Sequence, residues 1–106
     1  MDLVSLRTSR DFQRVLDEGR RVRRGALTVV AAEGVPGLTR LGLVVSRKVG
    51  KATVRNRVRR RLRHAARQAN LPEGWDFVVV ASPRAADAGY WELLEWLSSG
   101  AREATR

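Results

Sequence analysis

The chain has 106 residues, of which 21 are Lys or Arg and 11 are Asp or Glu, so its formal charge at pH 7 is +10. This length gives room for one small domain with one core, and we expect residues 1–106 to form a single domain. The chain has no cysteine, which excludes disulfides and thiolate metal sites, and the polar N-terminal sequence predicts a soluble, cytoplasmic protein.

The first predicted helix begins near Ser9, which we expect to be its N-cap. Phe12, Val15 and Leu16 follow at i, i+3 and i+4, the spacing of one buried helical face. Gly19 stands where a left-handed residue commonly ends a helix. On spacing alone, Phe12 is more typical of a core residue than of a ligand contact.

Strands are predicted after this helix. Arginines flank Val22, and the β-branched run from Leu27 indicates strand structure over about 21–32, broken near Gly25. Composition predicts a turn at 33–37, after which residues 39–46 return as the next antiparallel strand. The continuous apolar sequence LGLVVS in that strand is typical of a central position in a sheet.

The segment from Ser46 to Arg67 carries ten Lys or Arg residues and no acid. No Asp or Glu occurs anywhere between Glu33 and Glu73. Outside that interval the chain has ten basic and eleven acidic residues, so the whole positive charge comes from the interval.

Apolar residues recur at every third or fourth position from Val54 to Ala66, which predicts a helix with one apolar face. Thr53 is the expected N-cap. Like charges three and four residues apart repel, so this helix requires an anionic partner. The remaining arc of the helix carries Arg55, Asn56, Arg57, Arg59, Arg60, Arg61, Arg63 and Arg67.

The link before this helix, residues 47–52, places Lys48 and Lys51 on either side of Gly50. A cationic loop that enters a helix N-terminus collects amide groups and positive charge, which suits a phosphate. The alternative interpretation is an ordinary connector.

Several partners fit a basic helix. A solvated surface is the ordinary interpretation of a charge run, but ten cations in 22 residues without an acid favour nucleic acid. An anionic membrane is disfavoured because the apolar stripe is Val, Leu and Ala without an aromatic side chain. We expect no DNA, since no zipper or second recognition helix is present to set a half-site.

The C-terminal part of the chain completes a predicted α+β fold of order α-β-β-β-α-β-α, with helices packed on a single mixed four-stranded sheet. Residues 70–74 interrupt the helical pattern, Trp75–Ala81 forms an apolar strand and Pro83 ends it. A final helix is expected from Asp87 to Gly100. Its buried stripe is expected to contain Tyr90, Trp91, Leu94 and Leu97, with Trp96 at the edge.

The sequence GLVVSRKVGKATVRNRVRRRLR, with its Arg55-Asn56-Arg57 triplet, resembles the signature of the bacterial ribonuclease P protein family. The upstream sequence SRDFQRVLDEGRRV and the downstream sequence DFVVVASPRA are also similar, so the resemblance covers residues 5–97. It implies the ribosomal protein S5 domain 2-like fold, which has a left-handed β-α-β crossover. General sterics alone would predict a right-handed crossover.

In that family a catalytic RNA with bound Mg²⁺ removes the 5′ leader of precursor tRNA. The resemblance therefore implies two partners, the catalytic RNA and precursor tRNA, with Mg²⁺ bound mainly by the RNA. Leu16, Leu27 and Val30 stand where family members often have aromatic residues, so base stacking is expected from Phe12 alone. The expected leader-groove residues are Phe12, Leu16 and Val30. The expected RNA-binding residues are Ser46, Arg47, Lys48, Lys51, Arg55, Asn56, Arg57, Arg59, Arg60, Arg63 and Arg67.

The polypeptide itself lacks the groups for RNA cleavage. His64 is the one histidine and stands among arginines, whereas acid–base hydrolysis needs two convergent proton-transfer groups. The metal route needs clustered carboxylates, and the acids are scattered. We therefore expect no catalytic and no metal-ligating residue in the protein. The alternative is a ribosomal or other structural RNA-binding protein of similar fold.

Overall fold

Five strands and three α-helices form over residues 3–106, the part of the chain that the computed structural model describes. Short 3₁₀ turns at Arg47–Val49 and Pro83–Asp87 follow two of the strands. In chain order the elements are β1 (Leu3–Ser5), α1 (Ser9–Glu18), β2 (Arg20–Arg24), β3 (Leu27–Glu33), β4 (Thr39–Val45), α2 (Ala52–Ala69), β5 (Trp75–Ala81) and α3 (Tyr90–Ala104).

The five strands form one mixed sheet in the order β1-β4-β5-β3-β2. β5 is parallel to β4 and antiparallel to β3, while β1 adds to β4 in parallel. The predicted α+β fold with a mixed sheet is therefore confirmed, and so is the break near Gly25 between β2 and β3. The predicted strand count of four is wrong, because a three-residue strand such as β1 is too short to produce an alternating pattern.

The strands on either side of the turn at 33–37 run in opposite directions, as predicted, but they are not neighbours. β5 lies between them and pairs with both, so that Ala81 is opposite Leu27 on one side and Val45 on the other. β4, α2 and β5 thus form a parallel β-α-β unit. The left hand of this crossover stays a prediction from the resemblance.

The sheet has a core on each face, because successive side chains of a strand point to opposite sides. Val29 and Phe77 lie in the larger core, which α2 and α3 cover. Val30 and Val78 lie in a smaller core, which contains Val15 of α1. α1 is therefore separated from α2 and α3 by the thickness of the sheet.

The ends of α1 differ from the prediction. Thr8, not Ser9, is the N-cap, and its Oγ1 accepts a hydrogen bond of 3.1 Å from the amide of Asp11. Gly19 is extended rather than left-handed, with φ −78°. Glycine is required there by close packing, since a Cβ atom would lie 2.5 Å from the carbonyl oxygen of Val15.

The final helix, α3, begins and ends later than predicted. Its buried residues are Leu93, Leu97, Gly100, Ala101 and Ala104. The predicted stripe of Tyr90, Trp91, Leu94 and Leu97 is therefore correct only at Leu97, because the buried face continues through small residues toward Ala104. Trp91, expected to be buried, lies off this face and is 70% exposed. Within residues 3–106, no helix is both long and apolar enough to cross a membrane.

Candidate nucleic-acid interface

One side of α2 and the turn before it gather ten cationic side chains, which we call the basic surface. Val58, Leu62, Ala65 and Ala66 on the other side of α2 are buried, which confirms the predicted apolar stripe. Among the described residues, none of the ten cations forms an ion pair with an acid. A polyanion is therefore the partner that this surface fits best. Its members are Arg47, Lys48, Lys51, Arg55, Arg57, Arg59, Arg60, Arg61, Arg63 and Arg67.

The turn before α2 holds the first cations in place. Val49 is buried and anchors the turn to the core, while residues 46–48 are exposed. Lys51, not Thr53, is the N-cap, and within the described residues no side chain caps the helix. Thr53 is already the second helical residue, so its hydroxyl does not cap. The first amides of α2 thus point toward a cationic turn, the arrangement that suits a phosphate.

The Arg55-Asn56-Arg57 triplet lies in the first turns of α2. Asn56 and Arg57 are exposed, and so is Arg60 one turn after Asn56. Arg55 is half-buried, and its Nε atom has no hydrogen-bond partner among the described residues. Arg57 and Arg60 are consequently the cations of this part of the helix that a phosphate reaches most directly.

A row of arginines on α2 faces the edge of the sheet. Arg59, Arg63 and Arg67, spaced four residues apart, line a cavity together with β1, residues 41–43 of β4 and Phe12. Arg59 is fixed there, donating from Nη1 to Oδ1 of Asn56 at 3.2 Å and from Nη2 to the carbonyl oxygen of Val45 at 3.4 Å. This cavity connects the basic surface with the α1 side of the sheet.

Half-exposed apolar side chains lie on the α1 side of the sheet and form what we call the α1 groove. Phe12 and Leu16 come from α1, and Val44 and Val80 come from β4 and β5. Val30, predicted to be a groove contact, is fully buried beneath α1. The structure corrects that prediction, since Val30 supports α1 but has no surface for a ligand.

The end of the Phe12 ring packs closely against Gly42 in β4. A Cβ atom on Gly42 would be 2.5 Å from both Cε1 and Cζ of the Phe12 ring. Only glycine therefore leaves room for the ring in this position, and any side chain at residue 42 would push Phe12 away from the sheet.

An ion cluster ties α1 to the sheet beside the groove. Asp76 of β5 is completely buried, and Arg40 of β4 binds both of its carboxylate oxygens, with Nε–Oδ1 2.8 Å and Nη2–Oδ2 2.6 Å. Arg14 of α1 also donates to Oδ2 of Asp76, and Asp11 of α1 lies 4.0 Å from Arg40. The cluster thus fixes the position of α1, and with it the position of Phe12.

Two opposing effects set the pKa of the Asp76 carboxyl. Burial raises it, but the hydrogen bonds and positive charges of Arg40 and Arg14 outweigh burial, so the pKa lies below its ordinary value. The hydrogen bond to Asp76 in turn raises the pKa of the Arg40 guanidinium. Asp76 is therefore held as a carboxylate, fully occupied by two arginines.

Within residues 3–106, no three His, Cys, Asp or Glu side chains gather where they could hold a metal ion. His64 is exposed on α2, and its ring packs edge-to-face on Tyr90 at a centroid distance of 5.3 Å. No acidic residue lies on α2 beside it. The expectation that the protein carries no catalytic residue stays a prediction.

The family described as Ribonuclease P matches residues 2–105. The chain belongs to this family. The ribonuclease P protein component of Thermus aquaticus is 45% identical over 94 residues, which cover 88% of this chain and 55% of that relative. That of Thermobifida fusca is 42% identical and covers 95% of this chain and 76% of the relative. The chain thus spans about half the length of its Thermus relatives.

Solved ribonuclease P proteins share the fold. The protein from Thermotoga maritima is 31% identical with a TM-score of 0.83, and the match covers 93% of this chain and 96% of that one. A Staphylococcus aureus ribonuclease P protein mutant, described as defective in mRNA degradation activity, is 25% identical with a TM-score of 0.85. That match covers 95% of this chain and 87% of the other.

Two features of this ribonuclease P family member were missed by the sequence analysis. Asp76 left a signal, since it is a lone acid in the otherwise apolar strand WDFVVVA and a buried charge requires a partner. Its partners Arg14 and Arg40 left none. The signal for Gly42 is that it is an isolated glycine inside a strand. This pattern indicates that another group packs closely on the backbone, but it does not identify that group as Phe12.

Proposed function

We propose that this chain is the protein subunit of ribonuclease P, and that it binds the catalytic RNA through its basic surface. It holds the 5′ leader of precursor tRNA in the α1 groove, and so assists the endonucleolytic removal of that leader. The observation that carries this proposal is a surface of ten cations that have no acidic partner within residues 3–106, in a member of the ribonuclease P family.

Each surface has a separate task in this proposal. The guanidinium groups of α2 neutralise phosphates of folded RNA, with Ser46 and Asn56 adding hydrogen bonds. The α1 groove offers Phe12 as a stacking surface for a base of a single strand. The cavity lined by Arg59, Arg63 and Arg67 adjoins Phe12, so phosphates of the bound leader meet positive charge there.

Hydrolysis itself belongs to the RNA in this proposal. The RNA would hold the Mg²⁺ and the chemistry that this ion supplies, whereas the protein lowers the repulsion between two polyanions. The partners are the catalytic RNA and precursor tRNA, without DNA or a membrane. Residues 1–106 act as one RNA-binding domain in the cytoplasm.

The salt dependence of binding measures the number of phosphate contacts. We expect Arg57→Ala and Arg60→Ala each to reduce the slope of log affinity for the catalytic RNA against log salt by about 0.7–0.9, because each removes one contact. Affinities measured over a series of KCl concentrations check this. Arg102→Ala is the matched control, an exposed arginine outside the basic surface, and its slope should equal that of the unmodified protein. Unchanged slopes for Arg57→Ala and Arg60→Ala would mean that both side chains face solvent in the complex.

Cleavage assays with the protein alone and with the catalytic RNA alone show which of the two carries out hydrolysis. We expect the purified chain to leave precursor tRNA uncut at every pH and Mg²⁺ concentration. The catalytic RNA alone should cleave at high salt, where ions screen its phosphates, and added protein should lower the Mg²⁺ and salt required. Product formation on denaturing gels measures cleavage by the protein alone, by the RNA alone and by the two together.

Single carboxylate substitutions provide the opposing test. Asp87→Asn, at an exposed acid, should leave the cleavage step of the assembled enzyme intact. An acid whose loss abolished cleavage while RNA affinity and folding stayed normal would contradict RNA catalysis. If the chain bound structured RNA tightly but stimulated no cleavage, the structural RNA-binding alternative would replace this proposal.

A further inference from the structure

Trp91 is the most exposed large apolar side chain among the described residues, with 70% of its surface accessible. Single apolar side chains on a surface are common and need no explanation. Trp91 is not isolated, however, because it continues a line of rings that begins on the basic helix. Neither the basic surface nor the α1 groove includes it.

The line of rings crosses from α2 to α3. His64 of α2 packs edge-to-face on Tyr90, with ring centroids 5.3 Å apart and planes at 66°. Tyr90 packs in the same manner on Trp91, at 5.3 Å and 74°. The Tyr90 hydroxyl donates a 2.6 Å hydrogen bond to Oε1 of Gln68, which fixes Tyr90 to α2. We call His64, Tyr90 and Trp91 the aromatic shelf.

The charges around the aromatic shelf are arranged asymmetrically. On α2, Arg57 and Arg60 precede His64 by two turns and one turn, on the same side of the helix. Arg61 reaches toward the segment just before α3, where its Nη1 donates to the carbonyl oxygen of Ala88 at 3.3 Å. Cations therefore border the shelf along its α2 side.

Acidic residues lie on the α3 side. The carboxylate of Glu92 accepts a 2.9 Å hydrogen bond from the amide of Gly89 and so belongs to the helix cap. Glu95 is exposed one turn after Trp91, and Asp87 is exposed before the helix. A phosphate chain that passes the shelf is thus drawn to the α2 side and repelled from the α3 side.

We propose that the aromatic shelf binds an unpaired nucleobase of the catalytic RNA, which stacks on Trp91 while the adjoining phosphates meet Arg57 and Arg60. Every base has a π-face, so a rigid exposed indole next to cations suits this ligand. A second copy of this chain is a poor occupant, because two molecules of charge +10 repel each other.

The position of the shelf separates it from the leader. α2 and α3 cover one face of the sheet, whereas the α1 groove lies on the other. A leader strand in the groove therefore does not reach Trp91. The inference rests on the proposed function, since it assigns the shelf to the same RNA that the basic surface binds.

Trp91→Ala is the direct test, with affinity for ribonuclease P RNA transcribed in vitro as the readout. We expect a loss of about 5- to 150-fold, the range found for one stacked base. The salt slope should stay unchanged, because no charge is removed. Trp91→Phe should retain most of the affinity, and Trp91→Leu, which is apolar but has no ring, should lose about as much as Trp91→Ala.

Measurements of stability and of leader preference distinguish a lost RNA contact from a folding defect or a change in the α1 groove. Thermal midpoints of all three variants should match the unmodified protein, since an exposed side chain contributes little to the core. The preference for precursor over mature tRNA should also be unchanged in these variants, whereas Phe12→Ala in the α1 groove should reduce it. Wild-type affinity of Trp91→Ala, or equal affinities for the Leu and Phe variants, would overturn the inference. A change in sedimentation without a change in RNA affinity would also overturn the inference, because it would make the aromatic shelf a protein contact.

Failure of the unmodified chain to bind the RNA would instead contradict the proposed function.

Discussion

Replacing Asp76 by Asn is expected to lower the free energy of unfolding by about 3–5 kcal/mol, the usual cost of removing one partner from a buried ion cluster. The substitution leaves Arg14 and Arg40 facing each other without the carboxylate that both of them bind. For a domain of this size the thermal midpoint should fall by about 10 °C or more. Denaturant titration and calorimetry measure both quantities.

Asp11→Asn is the matched control for this prediction. Asp11 also faces Arg40, but at 4.0 Å and with 29% of its side chain exposed. Long, partly exposed pairs of this kind contribute about 0–1 kcal/mol, so the control should remain close to the unmodified protein. A loss for Asp76→Asn as small as the one expected for Asp11→Asn would mean that the Asp76 cluster does not hold α1 on the sheet.

The acid side of the stability curve provides a second readout of Asp76. Its pKa in the folded chain lies below the ordinary 3.8, so the folded state binds this proton less readily than the unfolded state does. The stabilisation is therefore fully present above the unfolded pKa and is lost as the pH falls through the lowered folded pKa. The stability difference between the unmodified protein and Asp76→Asn should narrow below about pH 4.

Replacing Gly42 by Val should remove the preference for leader-bearing precursor about as completely as Phe12→Ala does. Both changes take the Phe12 ring out of the α1 groove, the first by displacement and the second by deletion. Each should weaken binding of precursor tRNA by about 1–3 kcal/mol relative to mature tRNA, if one leader base stacks on the ring. Competitive binding to the assembled enzyme measures the difference.

Gly89→Ala controls for the loss of a glycine as such, because a Cβ there meets only Glu92 Oε1, at 3.7 Å. It should leave the leader preference unchanged. Thermal melts separate binding from folding, since equal losses for both RNAs with a lowered midpoint would make Phe12 a core residue. Retention of the leader preference in Gly42→Val would mean that the ring does not contact the leader.

The sequence was most informative where one physical pattern dominated. The apolar stripe of α2 could be predicted because Val54, Val58, Leu62 and Ala65 repeat with the helical period while every other position is polar or small. β5 could be predicted from the apolar run at residues 77–81. Its central place between β3 and β4 could not, since pairing partners are chosen by the whole sheet.

Features made by distant residues escaped prediction. Asp76 meets Arg14 and Arg40 from positions 62 and 36 residues earlier in the chain. The contact of Phe12 with Gly42 likewise exists only after α1 has packed on the sheet. On α3, the sequence predicts Trp91 as a core residue because aromatic side chains commonly are, whereas the actual packing face runs from Leu93 through the small residues Gly100 and Ala101.

The central position of β5 affects the order in which the sheet folds. β5 follows the other four described strands, and both β3 and β4 pair with it. Before Trp75 has been synthesised, the pairings of this sheet that can form are β1 with β4 and β2 with β3, and neither joins one pair to the other. α2 emerges before the surface that will bury its apolar stripe is complete. Closure of the sheet is thus a late, non-local step, and we expect it to limit the rate of folding.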